Sequence, residues 1–210
     1  MYIDLSMPVN EQTVVFPGDA KPVFEPAGTM ATTGFVDNVI HVNNHLGTHV
    51  DAPGHMIEGG QMLQGYPVDR FVAEAICIDA RGHNPLAGDL LAGIKVAPGS
   101  AVLFYTGAGD AYTKPTYATD YPPFSQELAD ALVKLTPGMV GVDMISFDHN
   151  EPFPIHKTLL GKDILLIENL INLGAVVGKH FKLYALPINF ELEAAPARVI
   201  AELPQSSLIT

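Results

Sequence analysis

The sequence predicts a β-rich α/β fold. Short apolar or β-branched runs recur along the chain, most are bounded by Gly, Pro, Asp or Asn, and one stretch among them has the spacing and end signals of an amphipathic helix. The 19 Gly and 17 Pro are spread from end to end, with no linker, repeat or low-complexity segment, so residues 1–210 read as one domain.

Met1–Ser6 has neither the basic segment nor the apolar run of a signal peptide and reads as a first strand. Further strand candidates are Val36–Val42, Ala75–Ala80, Ala101–Thr106, Met139–Val142, Ile164–Ile167 and Leu183–Ile188. Ser125–Leu135 is the clearest helix. Ser125 suits the N-cap, Leu128, Leu132 and Leu135 fall at helical spacing, and Pro137 follows the end. A short helix is expected over Ile155–Leu160 and another within Leu86–Ile94, where Gly88 and Gly93 lower the propensity.

Composition removes several functions. With 23 acidic and 11 basic side chains the formal charge is −12. Nucleic acids and anionic membranes are bound by clustered Lys and Arg, and no segment supplies such a cluster. At 48% apolar and 16% charged residues the chain can build a core and is not intrinsically disordered. The longest stretch free of Asp, Glu, Lys and Arg, Val96–Gly109, has 14 residues, too short for a membrane span and broken by Pro98, Gly99 and Gly107. The single Cys77, between Ile76 and Ile78, reads as a buried small hydrophobe, and a chain without an internal disulfide fits the cytoplasm.

Chemistry concentrates in His45-Leu46-Gly47-Thr48-His49-Val50-Asp51-Ala52-Pro53-Gly54-His55. On a helix His45 and His49 would share a face, as in zincin motifs, but Gly47, Thr48, Val50, Pro53 and Gly54 are poor helix formers. A strand fits better. His49 and Asp51 then point the same way, Gly47 supplies a bend that returns His45 to them, and Pro53-Gly54 ends the strand so that His55 approaches from the rim. Imidazole with carboxylate is a ligand set for Zn²⁺, Mn²⁺ or Fe²⁺. The plainer alternative is a histidine-rich loop or core histidines satisfied by the backbone. Glu168 ends an apolar run, Ile164–Ile167, where an unpaired carboxylate is costly. A metal or an Arg or Lys partner would compensate it equally well. His156 opens the short helix, where capping or exposure is the ordinary role. Asp143, Ser146 and Asp148 could orient metal-bound histidines or cap a turn, the latter favoured for Ser146. Arg198 could meet an acidic group or a substrate carboxylate. His41, His83, His149 and His180 have no comparable context.

The eleven-residue segment resembles the HxGTHxDxPxH signature of the metal-dependent cyclase-type hydrolases, a family that includes bacterial kynurenine formamidases and isatin hydrolases. The likeness extends to Phe16-Pro17-Gly18-Asp19, to Gly141–Asp148, and to His156 and Glu168. It implies the family's swivelling β/β/α fold and a centre of one or two Zn²⁺ or Mn²⁺ ions. In that centre His45, His49 and Asp51 hold the first ion, His156 holds the second, and Asp51 and Glu168 are shared. His55 is then the proton donor and acceptor, Phe16 lines the substrate site, and the protein is a homodimer or homotetramer. The implied reaction is hydrolysis of a C–N amide bond, an arylformamide or cyclic amide, by metal-activated water in a small aromatic molecule. Rival readings are a lyase or cyclase using the metal to stabilise an enolate, a lactone hydrolase, and a non-catalytic metal- or ligand-binding protein. His55 speaks against the last, because a binding cage needs no proton shuttle. Kynurenine formamidases of the family typically carry Trp where this chain has Phe16. Phe stacks on a ring but donates no N–H.

Overall fold

The computed structural model describes residues 1–204. In chain order the strands are β1 (Tyr2–Asp4), β2 (Val23–Gly28), β3 (Asp37–His41), β4 (His49–Asp51), β5 (Val72–Asp79), β6 (Ala101–Tyr105), β7 (Met139–Val142), β8 (Leu165–Glu168), β9 (His180–Pro187) and β10 (Ala194–Glu202). Helix α1 (Gln126–Leu135) lies between β6 and β7, and α2 (Pro154–Leu160) between β7 and β8.

One sheet runs β1-β10-β4-β8-β7-β6-β5-β9, and β9 turns back to pair with β10, so the sheet closes into a barrel. The strands β5, β6, β7 and β8 are mutually parallel; β9, β10 and β4 close the ring antiparallel. Along one edge of β10, β4 pairs with the first half and β1 with the second, so these two short strands share a single position in the wall.

The parallel strands β6, β7 and β8 are buried on both faces, which is why they read as near-continuous apolar runs. Ala101, Leu103, Met139, Leu165 and Ile167 point into the barrel with Cys77, Phe181, Leu183 and Val199. Their neighbours Val102, Phe104, Val140, Val142 and Leu166 point outward under Leu128, Leu132, Leu159 and Leu160 of the helices. The Ser125 hydroxyl accepts the Leu128 N–H at 3.1 Å and caps α1, whose end is left-handed at Thr136. The layered α/β expectation therefore stands. The expected helix within Leu86–Ile94 does not. Only a single 3₁₀ turn forms, over Gly88–Leu91, and Gly93 follows at φ 76°, a left-handed position that ends helical winding. The first strand and Cys77 behave as expected, Cys77 being fully buried, and of the two readings of Arg198 the structure shows the acidic partner, Asp4.

The strands β2 and β3 form a separate hairpin, with Val23 opposite His41 and a bulge between Pro26 and Gly28. Every residue of β3 is exposed. No helix among the described residues is long and apolar enough to cross a membrane.

Candidate metal centre

The site lies on the outer face of the barrel where β4 meets β8. Val50 points inward, so His49 and Asp51, one residue either side, point outward together. His49 pairs in register with Glu168, which puts that carboxylate on the same face. Thr48 locks this arrangement: its hydroxyl donates to Asn169 O at 2.6 Å and accepts the Met7 N–H at 2.9 Å, tying the motif to the turn after β8. Gly47 has φ 65°, and a Cβ there would lie 2.8 Å from Val9 Cγ2. Only glycine makes this bend without strain, and the bend returns His45 to Asp51. Pro53–His55 forms a 3₁₀ turn that brings His55 to the rim, its ring 4.2 Å from that of His45 and 6.0 Å from that of His156.

His156 enters from the first turn of α2. Asp148 accepts the Ile155 and His156 N–H groups at 3.1 and 3.0 Å and meets His156 Nδ1 at 2.8 Å, so one carboxylate caps the helix and orients the ring. His156 Nε2 then faces Glu168 Oε1 at 3.1 Å. His49 Nδ1 lies 2.8 Å from Gly47 O, a group that can only accept, so Nδ1 carries the proton and Nε2 is turned to Asp51 Oδ1 at 3.3 Å and Glu168 Oε2 at 3.4 Å. His45 Nδ1 lies 3.0 Å from Asp51 Oδ1.

His45, His49, Asp51, His55, His156 and Glu168 thus meet at one place, and Phe16 lines the cavity beside them, of about 490 Å³, with Met56, Ile145 and Phe153. Glu168 meets histidines; no Arg or Lys pairs with it among the described residues. Asp148 orients a histidine, whereas Asp143 does not: it accepts N–H groups of Thr106, Gly107 and Gly109 and the Thr106 hydroxyl, holding the loop after β6. The Ser146 hydroxyl accepts the Asp148 N–H, a turn-capping contact. Two further residues, Asn44 and Glu193, line the cavity with no signal in the motif.

The donor chemistry fits a divalent cation. His49 Nε2 and both Asp51 oxygens are buried without a hydrogen-bond partner among the described residues, an arrangement that costs free energy unless something charged joins them. His45, His49 and Asp51 offer donor atoms all within 4.8 Å of one another, as do Asp51, His55 and His156. Charge points the same way. Burial disfavours an imidazolium at His49, yet Asp51 and then Glu168 hold its pKa well above 6.5; burial is likewise outweighed at His156, where Asp148 and Glu168 raise it to about 10. Against burial, His49 and His45 keep Asp51 well below the usual carboxylate range, and His156 and His49 keep Glu168 low. The two carboxylates hold positive charge on the facing imidazoles, and a metal would take over that charge as the imidazoles give up a proton to bind it.

The family model described as "Putative cyclase" matches residues 3–149. The chain is 30% identical over 207 residues to the kynurenine formamidase of Salinibacter ruber, covering 94% of this chain and 95% of that protein. A potential metal-dependent hydrolase with cyclase activity superposes with a TM-score of 0.82 at 26% identity, covering 97% of this chain and 99% of the other. An isatin hydrolase bound to the product analogue thioisatinate shares the fold, with a TM-score of 0.87 at 21% identity over 97% of this chain and 92% of that one.

Proposed function

The chain belongs to the cyclase family, and on that premise we propose that it is a divalent-metal hydrolase cleaving the C–N amide bond of a small aromatic arylformamide or cyclic amide. The observation that carries the reading is the buried convergence of His49 Nε2 with two unpartnered Asp51 oxygens. His45, His49 and Asp51 would hold one Zn²⁺ or Mn²⁺, His156 a second, with Asp51 and Glu168 shared. When bound, such ions act as Lewis acids toward the carbonyl and lower the pKa of water toward neutrality.

The remaining chemistry belongs to side chains. His55 sits half-buried at the rim, free of the carboxylate pairing that occupies His49 and His156, and is placed to carry a proton between water and the leaving nitrogen. Phe16, Phe153, Met56 and Ile145 form an apolar wall that seats an aromatic ring and excludes water. The enzyme is a cytoplasmic homo-oligomer in this reading, and the apolar side chains exposed on the β2–β3 hairpin support assembly.

Protein loaded separately with Zn²⁺ and Mn²⁺ should be screened against N-formylanilines, formylkynurenine, isatin and simple lactones. Release of an aryl amine or a ring-opened acid is the expected result. Turnover of lactones alone would overturn the amide assignment, and no turnover with bound metal would leave a binding protein.

A further inference from the structure

Two of the three imidazoles that face the carboxylates are held at one nitrogen by an acceptor outside the site. His49 is held by Gly47 O and His156 by Asp148, and in both Nδ1 carries the proton and Nε2 faces Asp51 or Glu168. His45 is turned the other way round. Its Nδ1 faces Asp51 Oδ1 at 3.0 Å, and its Nε2 lies 3.6 Å from Glu193 Oε1.

Glu193 is itself tied down by the strands that build the site. Its Oε1 accepts the Asn44 side-chain N–H at 2.9 Å, and the same amide reaches Ala194 O at 3.3 Å. Its backbone carbonyl accepts the Ala52 N–H at 2.8 Å, and the next residue, Ala194, pairs with Asp51 in the β10–β4 register. The strand pair that carries Asp51 therefore also delivers the Glu193 carboxylate to the far side of His45. The gap to Nε2 closes to a hydrogen bond by a small rotation of a half-exposed side chain.

We propose that Glu193 is the positioning residue for His45: it accepts the Nε2 proton and so fixes the tautomer whose Nδ1 lone pair faces Asp51. Gly47 and Asp148 do the equivalent for His49 and His156, and without Glu193 the His45 ring is free to flip or to exchange tautomers. This rests on the metal-dependent reading above. Outer partners of this kind typically contribute roughly 10- to 100-fold in metal affinity.

The test uses Co²⁺ alone as the probe. Affinity is measured by competition with a chelator and the ligand set by visible absorption of the Co²⁺ protein. Glu193→Gln should bind Co²⁺ about 10- to 100-fold more weakly than wild type, with the same band positions, because the ligands are unchanged. Glu193→Asp should recover part of the affinity. Asn44→Ala, which frees Glu193 without touching it, should weaken binding in the same direction and stands in should Glu193→Gln not fold. Affinity within threefold of wild type in both Glu193→Gln and Asn44→Ala would overturn the proposal. So would a changed band pattern in Glu193→Gln, since Glu193, His45 and His55 also bring donor atoms within 4.8 Å of one another and Glu193 would then be a ligand itself. Wild-type protein that binds no Co²⁺ would instead overturn the metal-dependent reading.

Discussion

His156 and Asp148 are joined twice through one oxygen: Asp148 Oδ2 meets the ring Nδ1 at 2.8 Å and accepts the backbone N–H of the same histidine at 3.0 Å. The ring direction is thereby tied to the start of α2. Asp148→Asn offers its amide N–H or its carbonyl, but not both acceptors at once, and should lower metal affinity about 10- to 100-fold. Chelator competition measures this, with circular dichroism to show that α2 persists. Wild-type affinity would mean that packing alone holds His156.

His55 carries the proton-transfer assignment. Burial, opposed by Asp51 and aided by His45 and His156, keeps its pKa below 6.5, so the ring is neutral at pH 7. A neutral ring can take a proton, and a bound cation would shift the pKa further in the same direction. The value of kcat/KM should therefore be flat near neutrality and fall on the acid side, as the ring is protonated. His55→Ala should remove that acid limb and lower kcat by about 10²- to 10⁴-fold, with metal content at the wild-type level. A variant that also lost its metal would place His55 among the ligands.

Gly47 links backbone geometry to the same site. An alanine at φ 65° is strained, and its Cβ meets Val9 Cγ2 at 2.8 Å. Gly47→Ala should cost about 1–2 kcal/mol from the left-handed conformation alone, read as a lower denaturant midpoint, and should displace His45. Metal affinity should fall with stability. Unchanged values of both would show that the bend tolerates a side chain.

The candidate residues His45, His49, Asp51 and His55 were legible because three histidines and an aspartate crowd into eleven positions with Gly47 and Pro53-Gly54 to shape the chain around them. Glu168 and His156 were only half legible: a carboxylate at the end of a buried run fits a metal or an Arg or Lys partner equally, and a histidine at a helix start reads as a cap, so the family resemblance alone pointed both to the centre. Glu193 left no local mark. It reaches His45 only because β10 pairs with β4, and β10 opens with Ala194-Ala195-Pro196-Ala197, weak strand formers whose pairing is set by β4 on one side and β9 on the other. Asp143 resembles Asp148 in the sequence, yet it serves the loop after β6, because the parallel register that sets Val142 opposite Phe104 leaves Asp143 beside Thr106 and Gly107. Periodicity identifies faces; it does not say which neighbour a closing sheet brings.

Phe16 tests substrate fit. Aromatic contacts are worth about 0.5–1.5 kcal/mol beyond burial, so Phe16→Ala should raise KM for an N-formylaniline about two- to tenfold with little change in kcat. Phe16→Trp restores an N–H donor at the wall and should improve kcat/KM for formylkynurenine relative to N-formylaniline. An unaltered KM in Phe16→Ala would remove this residue from the substrate site.

The proposed assembly can be tested at the β2–β3 hairpin. Met30, Phe35, Val36, Val39 and Ile40 are between 45% and 71% exposed, and Val39 and Ile40, adjacent on β3, point to opposite faces. A two-stranded hairpin is marginal in water by itself, and apolar side chains on both its faces favour cover by a second copy. Phe35→Asp combined with Ile40→Asp should convert the proposed oligomer to monomers in light scattering while circular dichroism stays native. Because β3 ends at His41, two residues before Asn43, with Asn44 and His45 following at the cavity, the monomer should also lose activity through looser placement of His45. A wild-type protein that is monomeric at micromolar concentration would refute the assembly, and a fully active monomer would uncouple it from the centre.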